Sequence, residues 1–110
     1  MKSGSFVSQF EVYVIELDPT IGTEIKKTRP CVIVSPDAIN SNLTTVIVAP
    51  LTHTIKSFPS RVYCNFNEED GQIVLDQIRA IDKKRLKKKI GKIDAATGEH
   101  IKTVLQTMFS

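Results

Sequence analysis

Tryptophan is absent from this sequence, cysteine occurs only twice, and no uncharged apolar run approaches the ~20 residues that a bilayer-spanning helix requires. The last absence excludes a transmembrane helix, and the N-terminus lacks the basic-then-apolar pattern of a secretory signal. A cytoplasmic protein without membrane contact is expected. Cys31 and Cys64 stand far apart, each among strand-forming apolar residues, with no Cys-x-x-Cys and no Cys/His grouping at metal-ligand spacing. They read as reduced core residues in preference to a disulfide, and neither a metal nor a cofactor is expected. Internal repeats and low-complexity segments are also missing. A chain of 110 residues that is 41% hydrophobic and 25% charged then has the size and composition of one globular domain with a modest core.

What is present is unevenly distributed. The formal charge of +3 conceals an acidic first part, with 6 Lys/Arg against 9 Asp/Glu over residues 1–78, and a basic remainder, with 9 against 3. Eight of the fifteen Lys/Arg lie between Arg79 and Lys92. A patch that concentrated favours a polyanion such as RNA, although a charge run is also the ordinary form of a solvated face.

Residues 1–9 read as a loosely ordered start and 10–110 as the single domain. Phe10 to Leu17 is rich in β-branched and aromatic residues and predicts a strand, stopped by Asp18-Pro19. Asp18 to Arg29 is a polar stretch about twice the usual connection length, which suggests a functional loop. Pro30–Ser35 and Thr44–Ala49 are nearly continuous apolar runs and predict buried strands, with a loop or a single helical turn over 36–42 between them. Arg61 to Asn65 is another short strand, and Asp70-Gly71 is the clearest hairpin signal in the chain. Gln72 to Asp82 forms one bent strand or two, and residues 89–93 a last one. Asp94 is a good N-cap for a closing helix whose Ile101, Val104, Leu105, Met108 and Phe109 fall on one face. Together these predict a mainly β (α+β) fold, a small twisted SH3-like barrel or half-open sheet with a C-terminal amphipathic helix.

Two clusters could carry chemistry: residues 22–30 ahead of one buried strand, and Ala49-Pro-Leu-Thr-His53 after the next. Pro30 fixes its own φ and pushes Arg29 towards an extended conformation at a strand entrance. Thr52 is placed just past a strand end, beyond Pro50. If the two apolar strands pair antiparallel, Arg29 and Thr52 converge and form a phosphate site, because a guanidinium offers a planar fork of donors and a hydroxyl adds another polar contact. Glu24 is the available carboxylate, and His53, next to Thr52, would titrate near neutral pH. The ordinary alternatives are a surface Arg beside a structural proline, an edge-strand terminus and a solvated loop carboxylate.

Residues 12–36, running from a strand through Asp18-Pro19 and Gly22-Thr-Glu24 to Arg29-Pro30 and a Val/Ile strand, closely resemble the N-terminal signature of the MazF/PemK toxins. Val46-Ile-Val-Ala-Pro-Leu-Thr52 looks like that family's second motif, and Gly71-Gln-Ile-Val-Leu-Asp-Gln-Ile-Arg-Ala-Ile-Asp82 like its Asp-Gln strand. The similarity covers residues 10–109 in order. It departs at Phe10-Glu11, where many members have Gly-Asp, and at His53, where a small or polar residue is usual. The resemblance implies a CcdB/MazF-like fold and a homodimeric endoribonuclease toxin of a type II toxin-antitoxin system. Such a toxin cuts single-stranded RNA at a short motif without metal, by attack of the ribose 2′-OH to leave 2′,3′-cyclic phosphate and 5′-OH ends. It places catalysis at Arg29 and Thr52, with Glu24 the candidate base and His53 an open alternative. Thr20, Gly22, Lys26, Lys27, Thr28, His53 and Gln77 are candidate RNA contacts, and the basic run after residue 82 would steer RNA. The same surfaces suit the acidic, partly disordered segment of an antitoxin. Two rivals stand beside this reading: a CcdB-type gyrase poison, which shares the fold but carries an aromatic C-terminal tip unlike this chain's Gln-Thr-Met-Phe-Ser ending, and a non-catalytic SH3-like RNA-binding module.

Overall fold

The computed structural model describes residues 6–16 and 28–110. Within them the chain forms β1 (Glu11–Glu16), β2 (Thr28–Ile33), a one-turn helix α1 (Asp37–Asn40), β3 (Thr45–Thr52), β4 (Arg61–Phe66), β5 (Glu69–Val74), a 3₁₀ turn over Leu75–Gln77, β6 (Arg79–Asp82), a second 3₁₀ turn over Lys83–Arg85, β7 (Leu86–Lys92) and helix α2 (Ala95–Met108). The sheet runs in the order β4-β5-β3-β2-β1-β7, with β6 also paired to β3. All the pairings are antiparallel. This is the mostly β, curled sheet with a C-terminal helix that the patterning predicts.

Both faces of the sheet are covered, which explains why β2 and β3 read as continuous apolar runs rather than alternating ones. One face, carrying Val12, Val32, Ala49, Leu51, Val62, Cys64, Ile73 and Leu75, packs with Ile93 and Ile101 of the C-terminal segment. The other, carrying Ile15, Cys31, Ile33, Val46, Val48 and Ile81, closes on itself with Val7 and Leu86. Asp94 caps α2 as its sequence position predicts, accepting from the Thr97 N–H at 3.0 Å and the Thr97 hydroxyl at 2.7 Å. The helix buries Ile101 and half-buries Val104 and Leu105. Its apolar stripe outruns the sheet, so Phe109 is left 71% exposed.

Four local expectations need correction. The 10–17 strand starts one residue later, because Phe10 takes a left-handed φ of 73°, a conformation that suits the glycine of the related motif and strains other residues. Phe10 is held there by packing: a Cβ added to Gly98 would come within 2.6 Å of its ring, and the Lys102 ammonium lies 5.8 Å from the ring centroid. Residues 6–9 are not loose either. Val7 is buried, the Ser8 N–H donates to Glu11 at 2.9 Å, and the Gln9 amide donates to the Val34 carbonyl at 2.9 Å.

The hairpin turn is Asn67-Glu68 and not Asp70-Gly71. Phe66 pairs with Glu69, and the two loop residues have φ of 53° and 66°, as a type I′ turn requires. Gly71 instead sits in β5, where a side chain would put a Cβ 2.7 Å from the Thr52 carbonyl oxygen. Finally, Thr52 is not beyond a strand but the last residue of β3. Pro50 lies inside that strand, in the gap between the β6 ladder, whose last pair is Val48 with Arg79, and the β5 ladder, whose first is Leu51 with Ile73. A residue without an N–H interrupts least where a strand changes partners.

Candidate nucleic-acid cleavage site

Arg29 lies in β2 opposite Ile15 of β1. Its neighbour β3 pairs with β2 from Ile33–Val48 to Cys31–Pro50, and that register, continued past its last pair, points from Arg29 towards Thr52. Alternation agrees. Val46 and Val48 face the second apolar cluster, while Ala49 and Leu51 face the first, so Thr52 projects to the side of Val48 and Pro50. On that side a cleft of about 160 Å³ opens, lined by Ile15, Arg29, Cys31, Val48, Pro50, Gln77, Arg79 and Ile81. Arg29 and Pro50 line this cleft, and Thr52 follows Pro50 by one alternation step without being among the lining residues. Gln77 joins them from the 3₁₀ turn after β5.

The floor of this cleft is apolar apart from one thiol. Burial pushes the Cys31 thiol up to about 11, against the opposing pull of the Arg29 and Arg79 guanidinium charges. At neutral pH it is a protonated, weakly polar surface and no nucleophile. A cationic rim over such a floor is a place where an anion is held strongly, since water screens the charges less there.

The rim beyond Thr52 is fixed by β5. The Thr52 hydroxyl accepts from the Thr54 N–H at 3.1 Å, turning the chain at the strand end. Gln72, directly across from Thr52 and buried, accepts from the Lys56 N–H at 3.0 Å and donates to the Lys56 carbonyl at 2.8 Å. One amide thus completes both backbone groups of a loop residue. His53 is held in the same way: Nδ1 lies 3.1 Å from the Asp70 carbonyl and Nε2 lies 3.2 Å from Glu69. Both ring nitrogens face acceptors on β5, an arrangement that ties the loop to that strand. Asp70 is itself oriented, accepting from the Tyr63 hydroxyl at 2.7 Å and the Asn65 amide at 2.8 Å, and these hydrogen bonds lower its carboxyl pKa.

Of the remaining expected residues, Thr28 is exposed at the start of β2 opposite Glu16. Thr20, Gly22, Glu24, Lys26 and Lys27 lie outside the described residues. In the Asp-Gln motif, Asp76 accepts from the Ser60 hydroxyl at 2.8 Å and lies 3.8 Å from the Arg61 Nε. It anchors the turn that presents Gln77. Two residues escaped the sequence reading. Gln72 carries no signal, because its role depends on a loop folding back across it. Arg79 does carry one: it shares strand parity with the buried Ile81, which places a guanidinium in line with a core position.

The basic run is less uniformly solvated than its composition suggests. Lys87 lies 3.2 Å from Glu16 and Lys89 lies 2.7 Å from Glu11, and the Lys83 ammonium donates to the Asn40 carbonyl. Lys84, Lys88 and Lys92 are exposed, the latter two on the edge strand β7, where lysines also discourage pairing with another sheet.

Residues 8–109 match the PemK-like, MazF-like toxins of type II toxin-antitoxin systems. The chain belongs to this family. Among relatives it is 40% identical to the Endoribonuclease MazF of Staphylococcus epidermidis, over 73% of this chain and 72% of that protein. An endoribonuclease in complex with its cognate antitoxin from mycobacterial species superposes with a TM-score of 0.78 at 27% identity, over 94% of each chain. A MazE-MazF structure from Deinococcus radiodurans gives a TM-score of 0.82 over 94% of this chain and 96% of that one. At 20% identity it bears on the fold alone. Among the described residues no helix is long and apolar enough to cross a membrane.

Proposed function

We propose that this protein is the toxin of a type II toxin-antitoxin pair, a sequence-specific, metal-independent endoribonuclease that acts on single-stranded RNA in the cytoplasm as a homodimer. The observation that carries the reading is the cleft lined by Arg29, Pro50 and Gln77, in a chain of the MazF-like family. A guanidinium is a fork of donors with no acceptor, so the role of Arg29 is to neutralise the negative charge that accumulates on the pentacoordinate phosphorus. The Thr52 hydroxyl orients the phosphate. A carboxylate, Glu24 in this chain, removes the 2′-OH proton. The 2′-oxygen then bonds to phosphorus, the bond from phosphorus to the 5′-oxygen breaks, and that oxygen takes up a proton to leave as 5′-OH. DNA lacks the attacking hydroxyl and is not cut. An acidic, partly disordered antitoxin segment would occupy the same cationic cleft by charge mimicry.

The test is digestion, in EDTA, of a long single-stranded RNA and its DNA equivalent by the wild type and Arg29→Ala, with sequencing of the ends. Cleavage of RNA alone at a repeated motif, with 5′-OH ends and an inactive Arg29→Ala of unchanged melting temperature, is the expected outcome. Intact RNA at high protein concentration would sink the nuclease reading and revive the non-catalytic RNA binder. Loss of RNA binding in proportion to loss of cleavage would reduce Arg29 to a binding contact.

A further inference from the structure

We propose that Ser60 and Arg61 are positioning residues for RNA sequence choice: acting through Asp76, they fix the turn from which Gln77 meets a base. The assignment rests on the ribonuclease reading above for its substrate. Gln77 is exposed and lines the cleft together with Arg29. An amide there offers two donors and an acceptor to the edge of an unstacked base. To discriminate, it must be held still, because a donor displaced by about 1 Å serves a wrong base as well as the right one. The turn that carries it, Leu75–Gln77, is three residues long and has no side-chain cap of its own. So short a 3₁₀ turn supports itself weakly, and its pitch is set by what holds it.

The residues that open β4 do the holding. The Ser60 carbonyl accepts from the Leu75 N–H at 3.0 Å, the Ser60 hydroxyl donates to Asp76 at 2.8 Å, and the Arg61 Nε lies 3.8 Å from the same carboxylate oxygen. The Leu75 side chain is fully buried. Two residues of the turn are thus anchored, one in the core and one on the 60–61 pair, and the third faces the cleft. The anchor is itself stiff. The Arg61 N–H donates to the Phe58 carbonyl at 3.1 Å, closing a turn with Pro59 at its second position, where the fixed φ of proline suits. The guanidinium lies over the Phe58 ring, 5.3 Å from its centroid. The Arg61 side chain is 11% exposed, and its buried Nε has no hydrogen-bond partner among the described residues. A cation so far withdrawn from water is balanced by the charge of the Asp76 carboxylate beside it, which commits Asp76 to this side of the turn.

Sequencing of cut ends on a long RNA reads the preference as a ratio of kcat/KM between the favoured base and the next best at each position. The wild type is compared with Gln77→Ala, Ser60→Ala, Ser60→Thr and Arg61→Gln, with melting temperatures alongside. Gln77→Ala marks the position that Gln77 reads, by a loss of up to about tenfold in discrimination. Ser60→Ala and Arg61→Gln are expected to lose about threefold or more at that same position and none elsewhere, while Ser60→Thr, which keeps the hydroxyl, retains it. Combined with Gln77→Ala, neither adds a further loss, because both act through that amide. Val62→Ala, which weakens β4 by removing a buried side chain, leaves the preference intact. Discrimination within about twofold of wild type in Gln77→Ala, or in folded Ser60→Ala and Arg61→Gln, overturns the assignment. An equal relaxation in Val62→Ala, or a loss additive with that of Gln77→Ala, does so too. If the wild type leaves RNA uncut, the nuclease reading fails by itself. The same ratios are then taken from dissociation constants of single-stranded oligodeoxynucleotides with uracil for thymine, which carry the base edges without the 2′-OH. A base preference that Gln77→Ala and Ser60→Ala both relax sustains the positioning role, and a wild type without preference overturns it.

Discussion

The two apolar clusters that sandwich the sheet are built from similar residues and do different work. The one under α2 and the β4–β5 hairpin is closed, and its members Val12, Val32, Val62, Ile73, Leu75 and Ile101 are fully or almost fully buried. The one on the opposite face ends in an opening, where Ile15, Cys31, Val48 and Ile81 form a floor below Arg29, Gln77 and Arg79. Stability is concentrated on the first side, and the proposed chemistry lies on the second. A site that must hold charges over a dry surface needs an incomplete core, and the complete core across the sheet supports it.

The largest effect that would break this contrast is a cavity on the closed side. Leu75→Ala removes a fully buried side chain, and a loss of about 2–5 kcal/mol in urea unfolding is expected. Cleavage per folded molecule should stay near wild type, and a matching loss of activity at full folding would show that the two sides are not separable. Gly71→Ala sharpens the comparison, because the added methyl meets the Thr52 carbonyl. About 1–3 kcal/mol of destabilisation is expected, together with a fall in kcat that Leu75→Ala does not produce.

Acid tests the periphery. At Glu11 burial pushes the carboxyl pKa up, but the Lys89 ammonium, the Ser8 N–H and the Tyr13 hydroxyl outweigh it and leave the value lowered. A lowered folded-state pKa stabilises the fold above the ordinary value of 4.5 and loses that contribution as pH falls through the folded value. Unfolding free energy should therefore decline below about pH 4.5. Glu11→Gln should be less stable at neutral pH and show a shallower decline, measured by denaturant titration at several pH values. The smallest effect is expected from Lys88→Ala on the exposed edge: stability within about 0.5 kcal/mol of wild type and a slightly weaker salt dependence of RNA binding.

Much of this organisation is legible from sequence because it follows from pattern. The apolar runs of β2 and β3, the Asp94 cap and the 101–105 spacing are local signals with one simple solution, and the antiparallel pairing of β2 with β3 follows from them. What failed to read depends on contacts between distant segments. Asp70-Gly71 mimics a turn, but the glycine answers to β3 passing beside it, and the turn is taken three residues earlier by residues with no glycine at all. Pro50 looks like a strand end because its tolerance depends on β3 exchanging one partner for another. Gln72 is silent, since nothing local indicates that residues 53–56 return over it.

That exchange of partners makes β3 a shared beam. Its first half belongs to the ladder with β6, its last two residues to the ladder with β5, and β2 lies along its middle. Neither half of the sheet can let go without unseating the other, so the amides of β2, β3 and β5 should exchange with solvent together, through one common opening of the whole domain.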